Sequence, residues 1–569
     1  MLNFARLDSL GEILHDALFT FKSNVALIEA NRHRETARYT FAELRHVAEG
    51  FAGRLQAAGF EPGERLAIVM QNQSKWVISG LGGLFAGAVL VPIDYKLTAA
   101  EQLTLLAHCK PAALVVEYPT WRQMLQHETA AALENTLVLV SEAPDGADLG
   151  PARRWEDPVR SGFSLSQRRR TDVACIVYTS GTSGRPKGCM LTHDNYIRQA
   201  ESLSQIFWYR EEDNFFSILP TNHAIDFMCG FIVPLMLGST IVHQRTLRPQ
   251  YLVSTMKRYQ ISVMALVPML LKAFEKKLRE GIDELPAWKR TLVDSLVSVN
   301  RFATRREPNP ELSRLLLGPI HDKLGGHLRL LFVGGAFVER NTAEFFYQLG
   351  IPVAIGYGLT EAGTVLTVND LKPFRGDTVG AAVPGTKVEI RNANDQGIGE
   401  VWVKGPTVMQ GYLDEPELTG DVLIDGWLRT GDLGELDAAG HLKLVGRQKN
   451  MIVTEGGKNV YPEDIESAFD DVSGCEEVCV FAANYVWPRQ TMLGEELLLV
   501  VRPKSDGDLE QALLELRARN RRLVDFKRVK SYLTWSEAFP RTASMKVKRQ
   551  VLAEQLREAL ERETGLLPL

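Results

Sequence analysis

Across residues 1–380, short β-branched runs alternate with stretches whose apolar residues recur every three or four positions. The runs lie at 65–70, 112–116, 136–140, 174–178, 240–243, 328–333 and 353–357. Between two of them, Ile197, Ala200, Leu203 and Phe207 fall on one helical face, and Thr192 is placed to cap that helix. Strand–helix alternation on this scale predicts an α/β fold with a buried, largely parallel sheet. From Lys387 the period changes to two: KVEIRN, EVWVKG and HLKLVGR alternate apolar with polar residues, and DAAG at 437–440 signals a hairpin. That segment predicts an antiparallel β subdomain. Beyond Gly446 a small α+β unit is expected, with strands near 477–482 and 496–501 and helices near 508–521 and 546–563. The pattern places a boundary near 445–450.

One stretch resembles a membrane span. Residues 76–93, WVISGLGGLFAGAVLVPI, contain no charge, but four glycines and Pro92 predict a buried helix running into a core strand at 88–91. At most, peripheral membrane contact is expected. The amino-terminal residues are not expected to act as a secretory leader, since Asp8, Glu12 and Asp16 interrupt their apolar run. The net charge of −5 gives no reason to expect nucleic acid as a partner, and the basic runs at 168–170 and 301–306 read as solvated loops. Six scattered cysteines form no CxxC pair and no Cys/His metal spacing, which predicts buried thiols in a reduced, cytoplasmic chain.

The stretch YTSGTSGRPKG at 178–188 holds three glycines, an arginine and a lysine. Glycines let backbone N–H groups approach phosphate oxygens, hydroxyls donate, and Lys187 adds positive charge. The spacing is not that of GxxxxGK[ST], because Arg185 and Pro186 separate Gly184 from Lys187. A classical phosphate-loop ATPase is thereby excluded, and no GxGxxG opens the first strand–helix unit, which excludes a dinucleotide enzyme.

Four further segments follow in order: GYGLTE (356–361), TGDLG (430–434), GRQKN (446–450) and PRTASMK (540–546). With the glycine-rich loop they resemble the adenylate-forming (AMP-binding) superfamily, and phrases such as PKGCMLTH and VTEGGKNVYPEDIE are most similar to its long-chain fatty acyl-CoA synthetases. The resemblance implies an N-terminal domain at 1–445 for ATP and acyl substrate, a hinge at 446–450 and a mobile C-terminal domain at 451–569. It implies ATP, Mg²⁺ and coenzyme A, or a carrier-protein phosphopantetheine, as cofactors and acceptor. Chemically this suits a carboxylate, which resists nucleophiles until its oxygen has become part of a good leaving group.

By the same resemblance, Thr179, Ser180, Gly181, Thr182, Ser183, Gly184 and Lys187 grip the β- and γ-phosphates. Tyr357 and Gly358 border adenine, Thr360 touches the α-phosphate, and Glu361 holds Mg²⁺. Gly334, Gly335, Ala336 and Gly356 line adenine and the acyl group, with His223 beside the acyl pocket. Asp432 binds the ribose hydroxyls, Arg447 assists there, Lys449 marks the hinge, and Gly456, Gly457 and Lys458 border the pantetheine tunnel. Lys546 is the catalytic lysine, with Lys187, Thr360 and Glu361 sharing the catalytic work. Met545 stands where the family commonly has glycine, so that loop takes another backbone shape, and Lys548 is the fallback.

The expected activity is ATP-dependent activation of a hydrophobic, fatty carboxylic acid and transfer to coenzyme A. Three alternatives stand beside it: an acyl-AMP ligase loading an acyl carrier protein, an enzyme acting on an aryl or specialised acid, and a non-catalytic nucleotide-binding regulator. Chain length and oligomeric state are not legible from these residues.

Overall fold

The structure is a computed structural model that describes residues 7–127, 133–158, 162–179, 186–453, 459–486, 496–505, 507–541, 546–560 and 567–569. By packing, the chain divides into two units: residues 1–387 with 403–428, and residues 388–402 with 429–569.

The first unit is built on two large twisted sheets. The nine-stranded sheet has a parallel centre that runs, in spatial order, Val353–Tyr357, Leu330–Gly334, Val263–Leu266, Asn214–Ser217, Thr240–Gln244 and Val25–Asn31. The eight-stranded sheet has a parallel centre of Val173–Thr179, Val89–Pro92, Arg65–Val69, Ala113–Glu117 and Leu137–Ser141. These strands are mostly apolar and buried, as the centre of a parallel sheet requires, with Glu29, Glu117, His243 and Gln244 among the buried polar exceptions. All seven strand runs read from sequence are present to within two residues at each end.

The uncharged stretch at 76–93 forms the helix Ser74–Phe85 and the strand Val89–Pro92, as its glycines and Pro92 predict. Trp76 is 1% exposed and meets Phe231 edge-on at 5.3 Å. Among the described residues no helix is long and apolar enough to cross a membrane. Thr192 caps the helix His193–Ile206 in a reciprocal arrangement with Asn195. The basic run at 301–306 departs from its loop reading, since Arg301 sits in the last turn of the helix Ala287–Thr304. All six cysteines are unpaired thiols, five of them buried, and burial pushes Cys109, Cys175 and Cys229 up to about 12.

The second unit holds the hairpin in which residues 432–436, the end of the strand Trp427–Leu436, pair with Leu442–Arg447 across the turn at 437–440. There Asp437 Oδ1 accepts from Ala439 and His441 N–H groups, and Gly440 takes φ 81°. Four strands, Cys475–Ala482, Leu497–Pro503, Ser531–Thr534 and Leu567–Pro568, form its other main sheet. The helices Leu509–Arg522 and Arg549–Leu560 pack on it through Ala512, Leu516, Leu552 and Leu556. The packing division thus takes residues 429–445 with the C-terminal elements. The strand Leu442–Arg447 lies against the helix Pro462–Ala468, where a side chain on Gly446 would meet Tyr461 Cδ1 at 3.2 Å.

Candidate active site

Thr179 and Lys187 face each other across an antiparallel pair, as do Tyr178 and Gly188, so the two ends of the glycine-rich stretch lie side by side. Its flank is anchored by the Tyr178 phenol, 2.7 Å from His108 Nδ1. A short strand, Gly411–Tyr412, adds to the outer edge, with Tyr412 opposite Cys189. The Lys187 Nζ lies 5.8 Å from the centre of the Tyr412 ring. From the other side, the Tyr412 phenol donates to Glu361 Oε1 at 3.0 Å. Burial first, and the Glu361 charge second, push this phenol well above its ordinary value, which keeps it a donor. The Met409 N–H adds a bond to the Glu361 carbonyl at 2.9 Å. Lys187, Tyr412 and Glu361 therefore form one contiguous group of a cation, an orienting hydroxyl and a carboxylate.

Glu361 is presented by a single 3₁₀ turn, Thr360–Ala362, directly after the strand Val353–Tyr357. Gly363 ends the turn at φ 70°, and Thr364 follows at φ 123°, an unfavourable region for a β-branched residue. Thr364 is held there by its hydroxyl, which donates to the Ala224 carbonyl at 3.2 Å. Its own carbonyl would lie 1.6 Å from a Cβ on Gly358, so glycine is required at that position. Tyr357 is 7% exposed at the strand's end.

The neighbouring strand ends at Gly334, in register with Gly356. A Cβ on Gly334 would come 2.9 Å from the Gly356 carbonyl oxygen, so strand approach explains this glycine on its own. Gly335 turns the chain at φ 85° towards Ala336, and the nearest atom to its missing side chain is Ile225 Cδ1 at 3.7 Å. Ile225 belongs to the short turn Ala224–Asp226, which starts at His223 and continues into the π-helical turn Phe227–Ile232. All six residues of that π turn are buried. The Asp226 carboxyl is 1% exposed and accepts from Ser217 Oγ at 2.7 Å and Thr221 Oγ1 at 2.9 Å. Burial raises it to about 7 against those two bonds.

In the second unit, Asp432 and Arg447 are opposite each other in the hairpin, and Arg447 Nε donates to Asp432 Oδ1 at 2.8 Å. The Asp432 side chain is 7% exposed and that of Arg447 36%. Lys449 is exposed on the 3₁₀ turn Gln448–Asn450. Lys546 is exposed between two tethered points. On one side Arg541 donates twice to Glu477 Oε1, while Arg502 Nη1 and the Phe539 N–H donate to Glu477 Oε2 at 2.7 and 3.2 Å. On the other side Arg549 donates to both Glu466 oxygens, at 2.8 and 2.6 Å. Lys548 N–H reaches the Pro540 carbonyl at 2.7 Å and Arg541 bridges Val547, which fixes the backbone next to Lys546.

Thus the first unit gathers Thr179, Lys187, Tyr357, Gly358, Thr360 and Glu361, and beside them Gly334, Gly335, Ala336, Gly356 and His223. The second gathers Asp432, Arg447 and, in sequence, Lys449. Ser180, Gly181, Thr182, Ser183, Gly184, Gly456, Gly457, Lys458 and Met545 lie outside the described residues. Two residues escaped the sequence reading. Tyr412 sits in MQGYLDEPE, where only its place at the start of a turn marks it, and Ile225 looked like any apolar helix residue.

Residues 15–413 match the family model described as AMP-binding enzyme. The chain belongs to that family. This AMP-binding enzyme is 30% identical over 539 residues to a 3-[(3aS,4S,7aS)-7a-methyl-1,5-dioxo-octahydro-1H-inden-4-yl]propanoyl:CoA ligase of Rhodococcus jostii, covering 91% of this chain and 94% of the relative. It is 30% identical over 445 residues to a long-chain-fatty-acid–CoA ligase of Mycobacterium bovis, covering 75% and 72%. Among solved structures, ATP-bound MatB from Rhodopseudomonas palustris superposes with a TM-score of 0.74 at 25% identity, covering 96% of this chain and 99% of that one. The enzyme is an AMP-forming acid–CoA ligase: it adenylates a carboxylic acid with ATP and Mg²⁺ and forms a coenzyme A thioester.

The donors present suit that metal. Mg²⁺ is characteristically held through one or two carboxylates, with water and substrate phosphates completing its shell. Among the described residues no group of three or more His, Cys, Asp or Glu side chains could hold a metal. Glu361, oriented by Tyr412 through one oxygen, offers the single carboxylate such a site needs.

Proposed function

We propose that this ligase activates a hydrophobic, fatty-type monocarboxylic acid and hands the acyl group to free coenzyme A. The observation that carries the reading is Ile225, half-buried, whose Cδ1 lies 3.7 Å from the place a side chain on Gly335 would occupy, at the strand end next to the one that leads into the glutamate turn. An apolar side chain at that place favours an alkyl or alicyclic body, with polar chemistry confined to one end. The relatives named as acting on a long-chain fatty acid and on a bicyclic propanoyl acid support the same class.

In the first step the substrate carboxylate oxygen attacks the α-phosphorus of ATP; an O–P bond forms and the bond to pyrophosphate breaks. Two anions approach each other, so fixed cations and donors lower the barrier. We assign that work to Lys187 and residues 179–184 at the phosphates, Thr360 at the α-phosphate, Glu361 as the Mg²⁺ ligand and Lys546 at the carboxylate. Tyr357 and Gly358 border adenine, Asp432 and Arg447 hold the ribose, and His223, Gly334, Gly335, Ala336 and Gly356 shape the acyl side. In the second step the thiolate of coenzyme A attacks the acyl carbon, the thiol proton goes to solvent, and the bond to AMP breaks. Residues 446–450, with Lys449, serve as the hinge between the two steps, dividing domains 1–445 and 451–569, and Gly456, Gly457 and Lys458 border the pantetheine arm.

ATP–pyrophosphate exchange across a panel of alkyl, alicyclic, aryl and short polar acids tests the acid class. Exchange strongest with alkyl or alicyclic acids is expected; exchange confined to aryl or short polar acids would reject the hydrophobic assignment. Thioester formation with free coenzyme A should then follow. Turnover only with a phosphopantetheinylated carrier protein would assign the acceptor to that protein instead.

A further inference from the structure

The turn Thr360–Ala362, which presents Glu361, is followed by a backbone conformation that threonine disfavours. Thr364 sits at φ 123°, in a region open to glycine and unfavourable for a β-branched residue. It is buried, so the protein and not solvent holds it there. Such a conformation persists only where the surroundings over-determine it, and it clusters at sites whose geometry serves function. The contacts of Thr364 show what holds it.

Three groups meet at this residue. Its carbonyl occupies the place where a side chain on Gly358 would stand. Its hydroxyl donates at 3.2 Å to the carbonyl of Ala224, which lies between His223 and Ile225 in the chain. The next N–H, that of Val365, donates to Gln199 Oε1 at 3.0 Å. Gln199 is fully buried, and among the described residues its Nε2 has no hydrogen-bond partner. A buried amide nitrogen left without an acceptor is unfavourable. Two unfavourable features thus stand together, a strained threonine and the half-satisfied glutamine that grips the residue after it. Gln199 belongs to the helix His193–Ile206, which directly follows the strand Lys187–Thr192. Thr364 therefore joins the turn of His223 and Ile225, the segment from Gly358 to Glu361, and the helix behind Lys187.

The two turns that Thr364 connects are each anchored elsewhere. On the acyl side, Asn72 Nδ2 donates to the Leu219 carbonyl at 2.6 Å, Asn72 Oδ1 accepts from the Thr221 N–H at 2.8 Å, and Asp226 accepts from Thr221 and Ser217. On the other side, Tyr412 and the Met409 N–H hold Glu361. Between them the strained residue is the one that gains by relaxing, and the Ala224 carbonyl opposes that relaxation. A ligand that fixes Ala224 therefore favours one of two states of the joint.

We propose that Thr364 is a positioning residue that couples the two substrates: an acid seated against Ile225 fixes the Ala224 carbonyl, this keeps Thr364 in its strained form, and that form holds Gly358 and Glu361 ready for ATP and Mg²⁺. The inference rests on the assignment of Ile225 to the acyl side and of Glu361 to the metal. By linkage, ATP favours the acid by the same factor as the acid favours ATP.

Calorimetry with Mg²⁺ and α,β-methylene-ATP, whose bridging carbon blocks adenylation, tests the coupling. The Kd of the analogue is measured with and without saturating decanoate or, should decanoate not support exchange, the panel acid that exchanges best. In the wild type the acid should tighten the analogue by about fivefold or more. In Thr364→Val, which keeps the shape and lacks the hydroxyl, that factor should fall below about twofold, with the Kd measured without acid little changed. Thr364→Ser, which keeps the hydroxyl, should retain the wild-type factor. Should Thr364→Val fail to fold by circular dichroism, Thr364→Gly, which takes φ 123° without strain, is judged by the same factor. No coupling in the wild type, an undiminished factor in the folded variant, or a loss in Thr364→Ser equal to that in Thr364→Val would overturn the proposal. Glu361→Gln separates this from the metal assignment, because it should weaken the analogue even without acid.

Discussion

The phenol of Tyr412 donates to Glu361 Oε1 at 3.0 Å across 51 residues of sequence, and the same ring faces Lys187 Nζ from 5.8 Å. One aromatic residue thus orients the carboxylate assigned to the metal and stands beside the cation assigned to the phosphates. Tyr412→Phe should raise the Mg²⁺ concentration needed for half-maximal pyrophosphate exchange by about tenfold, the scale on which groups that orient a metal ligand act. Glu361→Gln should cost more and should not be rescued by added Mg²⁺. Titrating exchange against Mg²⁺ in the three proteins checks both outcomes.

Lys187→Ala should act mainly on ATP. Its ammonium lies next to the edge strand and is not buried, so the substitution should leave the melting temperature within a few degrees. The KM for ATP in the exchange assay should rise by about tenfold or more, with Lys187→Arg partly restoring it.

The Asp432–Arg447 pair makes two separable predictions. Arg447→Ala leaves a nearly buried carboxylate without its 2.8 Å partner; because Arg447 is itself partly exposed, the cost should be about 2 kcal/mol, below that of a fully buried pair. Asp432→Asn keeps the shape but removes the charge, and should weaken ATP binding measured by calorimetry more than it lowers the melting temperature.

Arg541 tethers the segment that leads to Lys546, through Glu477. Arg541→Ala should therefore reduce the rate of adenylation in single turnover while leaving the KM for ATP near its original value. Lys546→Ala should reduce it further, and the double variant should be no worse than Lys546→Ala alone, because the tether acts only through the lysine. Full adenylation by Lys546→Ala would move the role to Lys548.

Asp226 predicts a pH dependence of stability. Its folded value of about 7 lies above the ordinary value of 3.8, so between those limits the folded state binds more protons than the unfolded state. Stability contributed by this group is present below about pH 4, falls as pH rises to about 7, and is flat above. Asp226→Asn should remove that slope and stabilise the protein relative to wild type at pH 8, by up to roughly 4 kcal/mol. Denaturant unfolding at pH 5, 6, 7 and 8 measures it.

Much of the fold was legible because it rests on local chemistry. The β-branched runs, the Thr192 cap, the Asp437 turn and the conversion of residues 76–93 from helix to strand depend on neighbours within one or two turns. Several strands were not read. Val25–Asn31 and Arg34–Thr40 form an antiparallel pair at a sheet edge, and Asn214–Ser217 and Val263–Leu266 are four-residue strands too short to show a period. Lys187–Thr192 was not read as a strand either: its partners are Val173–Thr179 before it and Gly411–Tyr412 more than two hundred residues later.

The residues that carry chemistry divide in the same way. Resemblance of the short motifs, in their order, to those of the adenylate-forming superfamily pointed to Lys187, Glu361, Asp432, Arg447 and Lys546, because each motif is contiguous in the sequence. Nothing local marks Tyr412 as the partner of Glu361, Ile225 as the cover over Gly335, or Glu477 as the tether of Arg541. Those relationships arise from sheet register and from burial, which bring together atoms that the chain separates by tens to hundreds of residues. The order of these motifs, through their resemblance to the adenylate-forming superfamily, thus determined what kind of chemistry to expect; long-range packing decided which side chains orient the candidate groups.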